Sequence, residues 1–168
     1  MPLAVTHILF PIILFSVIRD FYLRKRERKS FPLHYVLLAG LGGTLPDIDI
    51  PISFILNFLG IASWELHRTF THLFIFPAIF FILFLVFSRI NARARICNLT
   101  RHNLKLSTIF LMISIGTLIH ILLDNSFIYF VDIFPQETRP WIPATLDGIL
   151  LIIWIVYLEL KHKISDFI

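Results

Sequence analysis

Apolar residues run in long blocks along this chain, broken by short polar stretches. The first block extends from about Leu3 to Leu23 and reads as a helix of ~20 residues, enough to span a bilayer. A second begins at Phe31-Pro32 and stays apolar to Leu45. There the pattern changes to Gly43-Thr44-Leu45-Pro46-Asp47-Ile48-Asp49-Ile50-Pro51. Proline removes a backbone donor and opposes a continuous helix, so the chain is expected to break at this point. Ile52 to Ile61 is apolar but too short to span alone, and is read as re-entrant or interfacial. A third block opens at Trp64-Glu65-Leu66-His67-Arg68-Thr69-Phe70-Thr71-His72 and runs to Phe87, a fourth runs from about Leu106 to Asp124, and a fifth from about Leu146 to Leu160. His67 is placed just ahead of the third helix and His72 at its start. Residues 88–105 are read as a basic loop, and Asn125 to Thr145 as a loop rich in aromatics and proline.

The expected fold is therefore all-α: one polytopic transmembrane bundle over residues 1–168, with about five helices and a broken or re-entrant segment after the second. Gly40 and Gly43, small residues three positions apart, let another helix approach closely. Composition agrees with a membrane protein. Of the 168 residues 57% are hydrophobic and 15% charged, with mean hydropathy +0.82, against about 25% charged in a soluble domain. The net charge of +4 does not point to nucleic acid, because 13 of the 15 Lys and Arg fall at 19–30, 88–105 and the tail. Under five spans these lie on one side, which places the N-terminus outside and the C-terminus in the cytoplasm. No positive region precedes the first block, so it reads as an anchor rather than a cleaved signal. Cys97 is the single cysteine, so no intrachain disulfide is expected.

Depth brings the polar residues to one layer. His7 lies 17 positions before Arg24, Asp47 lies 18 after Lys29, and His72 lies 17 before Arg89. His120 and Asp124 lie 15 and 19 after Lys105. At ~1.5 Å rise per residue all sit roughly 22–28 Å from the inner face. His120 and Asp124, at i and i+4, share one helix face. Asp47 and Asp49, at i and i+2, can address two ions or one ion and a His. The candidate metal set is His7, Asp47, Asp49, His67, His72, His120 and Asp124. A lone His on an apolar helix is more often a packing residue, and one acid at a proline break can be a helix cap; the case is collective. Mixed imidazole and carboxylate ligands suit Zn, Mn, Fe or Co. Seven candidates exceed the needs of one catalytic ion, which favours two ions, with one to three in range.

Thr6-His7, Leu45-Pro46-Asp47-Ile48-Asp49, His67-Arg68-x-x-Thr71-His72 and Gly116-x-x-x-His120-x-x-x-Asp124 together resemble the membrane-bound metal-dependent hydrolase family, whose members are also described as LexA-binding, inner-membrane-associated hydrolases. The likeness covers residues 6 to 125. It departs at Thr69 and Leu73, where the family pattern has Gly and Ser. A more distant similarity is to zinc-dependent phospholipase C. The resemblance implies an inner-membrane enzyme acting on a phosphoester. A lipid head group at the outer interface is one such substrate, Zn (or Mn) the metal and membrane lipid the surroundings. Asp49 and Arg68 are then the catalytic candidates, with Arg68 neutralising a phosphate oxygen and Thr71 orienting a ligand. Two other classes use the same residues: a metal or proton carrier, and a non-catalytic protein with a structural metal.

Overall fold

The computed structural model describes residues 4–21, 23, 31–60, 71–90, 93–94, 104–133, 135–136 and 141–161. Among these the chain is almost wholly helical. The helices are α1 (Ala4–Phe21), α2 (Leu33–Gly42), a 3-10 turn (Leu45–Ile48), α3 (Asp49–Phe58), α4 (Ile75–Ile90), α5 (Leu106–Asp132) and α6 (Trp141–Lys161). α5 is the hub: it packs on α4 and α2, while α1 packs on α2, α5 and α6. Tyr35, Ala39, Leu104, Ile109 and Met112 fill the seam between α2 and α5, and Ile12, Leu33 and Val36 that between α1 and α2.

Close approach of these helices depends on hydrogen side chains. A Cβ on Gly40 would stand 2.6 Å from Ile12 Cδ1, and one on Gly43 would enter the His7 carbonyl, so the Gly40–Gly43 pair admits α1. A different glycine admits α5: a Cβ on Gly116 would enter the Ala39 carbonyl. Outside these seams the surface stays apolar. Phe54, Phe58, Ile82, Ile90 and Ile152 are all more than half exposed. Apolar exposure on this scale marks a surface that meets lipid or a partner rather than water. Leu106–Ser126 is long and apolar enough to cross a membrane alone. Leu33–Gly42 with Leu45–Phe58, bent by 49°, would make a second span if the pair is one broken crossing. Five crossings are not what helix length among the described residues supports; Ile75–Ile90 and Thr145–Tyr157 are apolar but shorter.

The proline break is present: α2 ends at Gly42, and a tight turn carries the chain through a 49° bend into α3. Thr44 N–H donates to the Leu41 carbonyl at 3.0 Å and Asp47 N–H to the Thr44 carbonyl at 3.1 Å, the short-range bonds of a tight helical turn. Pro46 lies in the first residues of that turn and Pro51 in the first turn of α3, where a missing N–H costs nothing. Three boundaries also differ from expectation. α5 runs on to Asp132 and α6 begins at Trp141, so much of the expected 125–145 loop is helix. Asn125-Ser126 interrupts hydrophobicity but not backbone bonding, and no Gly or Pro follows before Pro135. The third helix begins at Ile75, with Thr71–Phe74 as the turn before it; Pro77 then falls in its first turn. The basic loop carries a small antiparallel ladder pairing Arg93 with Lys105 and Ala94 with Leu104, too short to leave an alternating signature.

Candidate metal centre

Four pieces of chain meet at one end of the bundle. His7 comes from the first turns of α1, Asp47 from the 3-10 turn, His72 from the turn before α4, and His120 and Asp124 from successive turns of α5. Their ligand atoms form two overlapping groups, His7–His120–Asp124 and Asp47–His72–His120, each with all atoms within 4.8 Å of one another. His7 Nε2 stands 3.2 Å from Asp124 Oδ1. His72 Nε2 is 3.5 Å from both Asp47 Oδ1 and Asp124 Oδ2. His120 Nε2 is 3.4 Å from Asp47 Oδ1, 3.8 Å from Asp124 Oδ2 and 3.4 Å from His72 Nε2.

The protonation of His120 follows from its neighbours. Its Nδ1 lies 2.7 Å from the Gly43 carbonyl oxygen, which can only accept, so Nδ1 carries the hydrogen. In the neutral ring Nε2 is then a bare lone pair. That lone pair faces two carboxylate oxygens and another imidazole, none of which supplies a hydrogen without itself being protonated. His120 is 0% exposed and His7 2%, so water does not relieve the arrangement. Neither ring nitrogen of His7 nor Asp47 Oδ1 makes a hydrogen bond among the described residues. Buried carboxylates and imidazole lone pairs gathered in one place are costly, and a cation in their midst, a proton or a metal ion, is the ordinary remedy.

The donor set fits a transition metal. Nitrogen and oxygen atoms 3.2–3.8 Å apart match the edges of a tetrahedral shell, roughly 3.4 Å for bonds of ~2.1 Å. A ligating His that gives its other N–H to a backbone carbonyl is the usual outer support of such a site. The two groups share His120, whose one remaining nitrogen serves a single ion.

Asp49 stands outside both groups. In a tight helical turn residues i and i+2 diverge, unlike in a strand, so Asp47 turns to the cluster and Asp49 does not follow it. Asp49 is buried, and its Oδ2 accepts the Thr71 hydroxyl at 2.9 Å. Thr71 Oγ1 also lies 3.2 Å from His72 Nδ1. With the hydroxyl hydrogen committed to Asp49, His72 Nδ1–H donates to Thr71, which aims His72 Nε2 at the cluster. His72 lies in the turn, outside the spanning helices. Burial would lower its pKa, but hydrogen bonds and charge from Asp124 and Asp47 outweigh this and raise it to about 9.

The cluster is buried on one side only. The side chains of Asp47 and Asp124 keep 17% and 16% of their exposure, against 3% for His7. His67 and Arg68, both candidates from the sequence, lie outside the described residues. The sequence reading missed the Gly43 carbonyl, which no side-chain pattern reveals, and Asp147, which lies beyond the motif region.

One comparison with known proteins gives a match: the family model described as YdjM inner membrane protein covers residues 1–165. No curated protein and no solved structure matches the chain.

Proposed function

We propose that this chain, which belongs to the YdjM inner membrane protein family, is a metal-dependent hydrolase of phosphoesters working at the membrane surface. The observation that carries this reading is the bare Nε2 of His120, locked by the Gly43 carbonyl and facing Asp47, Asp124 and His72. A divalent ion such as Zn held by His7, Asp47, His72, His120 and Asp124 would supply Lewis acidity and a nucleophile at neutral pH. The protein's part is orientation. Gly43 fixes the His120 ring, and Asp49 acts through Thr71 on the His72 ring. The remaining exposure of Asp47 and Asp124, 17% and 16%, marks the side from which a phosphoester would approach, whereas a structural metal is usually fully enclosed. Arg68, four residues before His72 in sequence, is suited to bind a phosphate oxygen. A lipid head group is the favoured substrate, because apolar surface flanks the site: Phe54 on α3 and Leu73 beside His72 are both more than half exposed.

The test is elemental mass spectrometry on detergent-purified protein prepared without chelator, followed by phosphoester turnover with and without the metal. One or two transition-metal ions per chain, lost in His120→Ala together with turnover, are expected. Full metal retention in His120→Ala, or turnover untouched by metal removal, overturns the reading.

A further inference from the structure

The geometry points to Asp147, on α6, as the residue that positions His7 for metal binding; this rests on the metal-site reading above. Asp147 Oδ1 accepts two hydrogen bonds from Thr6, one from the backbone N–H at 2.8 Å and one from the hydroxyl at 2.5 Å. The N–H of Thr6 lies in the first turn of α1, where a helix has no carbonyl of its own to receive it. The cap therefore comes from a residue 141 positions away. A carboxylate is well suited to the task, since it also meets the positive end of the helix. Thr6 is itself buried, 6% exposed.

The next residue is His7, and it has no other anchor of this kind. Neither of its ring nitrogens makes a hydrogen bond among the described residues, unlike His120 with Gly43 and His72 with Thr71. Its ring meets members of the cluster, Asp124 Oδ1 at 3.2 Å and the His120 ring at 3.9 Å between centroids, and the placement of the ring against them follows from the backbone that carries it. That backbone is clamped from two sides: the His7 carbonyl lies against Gly43, and Thr6 is tied to Asp147. Asp147 thus does for His7, through the main chain, what hydrogen bonds to the ring do for the other two histidines. It is a positioning residue, and it makes α6 part of the site although α6 gives no ligand.

A second tie between α1 and α6 supplies the control. Tyr157 donates its hydroxyl to Asp20 at the far end of α1. If Asp147 merely docks α6, losing either tie should act alike. If it positions His7, only the tie at Thr6 should reach the metal.

The experiment is a Co2+ titration of the full-length metal-free chain in detergent, read by the visible absorption of the bound ion, with the thermal midpoint of each metal-free protein measured alongside. Asp147→Leu is expected to weaken Co2+ binding roughly tenfold or more and to change the intensity of the absorption bands. Asp147→Asn, which keeps an acceptor oxygen, should bind within about threefold of the unmodified chain, and Tyr157→Phe should bind unchanged. Should Asp147→Leu not fold, Thr6→Val removes one of the two hydrogen bonds and is expected to give a smaller loss in the same direction. Unchanged binding in Asp147→Leu (or in Thr6→Val where that stands in) overturns the inference alone, as does an equal loss in Tyr157→Phe, or an Asn variant as weak as the Leu variant. No Co2+ binding by the unmodified chain overturns both this inference and the metal site beneath it.

Discussion

Three histidine rings enter the cluster, and for two of them the partner of Nδ1 decides which nitrogen faces it. The Gly43 carbonyl takes the Nδ1 hydrogen of His120, and Thr71 takes that of His72. Replacing Thr71 by Val removes the support without touching a ligand atom. Metal affinity should fall about tenfold while the number of ions at saturation stays the same, as measured by competition with a fluorescent chelator. A Gly43→Ala change acts on two ligands together, because its methyl would enter the His7 carbonyl while its own carbonyl orients His120. It should lower the thermal midpoint and cost more affinity than Thr71→Val; a Gly43→Ala protein with native affinity would mean that the ring is oriented otherwise. His72 adds a pH dependence. Its raised pKa, about 9 against an ordinary 6.5, stabilises the metal-free fold fully below pH 6.5. That contribution disappears as pH rises through about 9. The midpoint of the metal-free protein should decline from pH 6.5 to 9 on this account. Metal must displace the same proton, so affinity should rise over that interval.

At the level of elements, the centre depends on how closely α2 approaches α5. Gly116 meets the Ala39 carbonyl, and Gly42 meets Ile113, where a Cβ would stand 2.6 Å from the carbonyl oxygen. Spreading this seam separates Gly43 from His120. Gly116→Val should therefore destabilise by roughly 1–3 kcal/mol through overpacking and lose metal as well, which thermal unfolding and metal content on one preparation would show. Ser114, buried on α5, donates to the Pro77 carbonyl at 2.9 Å and so ties the start of α4 to the hub. The element carrying His72 is thereby held to the element carrying His120. Much of this level was legible in the sequence: the apolar blocks located α1, α2, α4, α5 and α6. Boundaries were less so. The helices reach through Asn125-Ser126 and begin at Trp141, because hydrophobicity lapses there while backbone bonding does not.

For the whole molecule, a bound metal would depend on carboxylates and imidazoles that only folding brings together. Saturating metal is expected to raise the thermal midpoint, as ligation of the native state alone requires; an unchanged midpoint with metal bound would mean that the unfolded chain holds it equally well. Were the chain to cross five times, the Lys and Arg distribution would set its orientation. It predicts that Cys97, in the basic 88–105 stretch, faces the cytoplasm. A membrane-impermeant maleimide should label it only after the membrane is opened, and labelling in intact spheroplasts would reverse the topology.

The sequence by itself determined that this is a helical, membrane-type chain, and it determined which residues are chemically out of place in it. His7, Asp47, Asp49, His67, His72, His120 and Asp124 stood out because buried polar groups are costly and rare, and depth along each segment put them in one layer. Only tertiary structure decided which of them meet. A turn of tight helix separates Asp49 from Asp47 and hands it to Thr71, a backbone carbonyl fixes His120, and a carboxylate 141 residues distant holds the start of α1. None of these is a property of residue type or local spacing. Each depends on backbone direction and on contacts between segments far apart in the chain, and those exist only once the helices have packed.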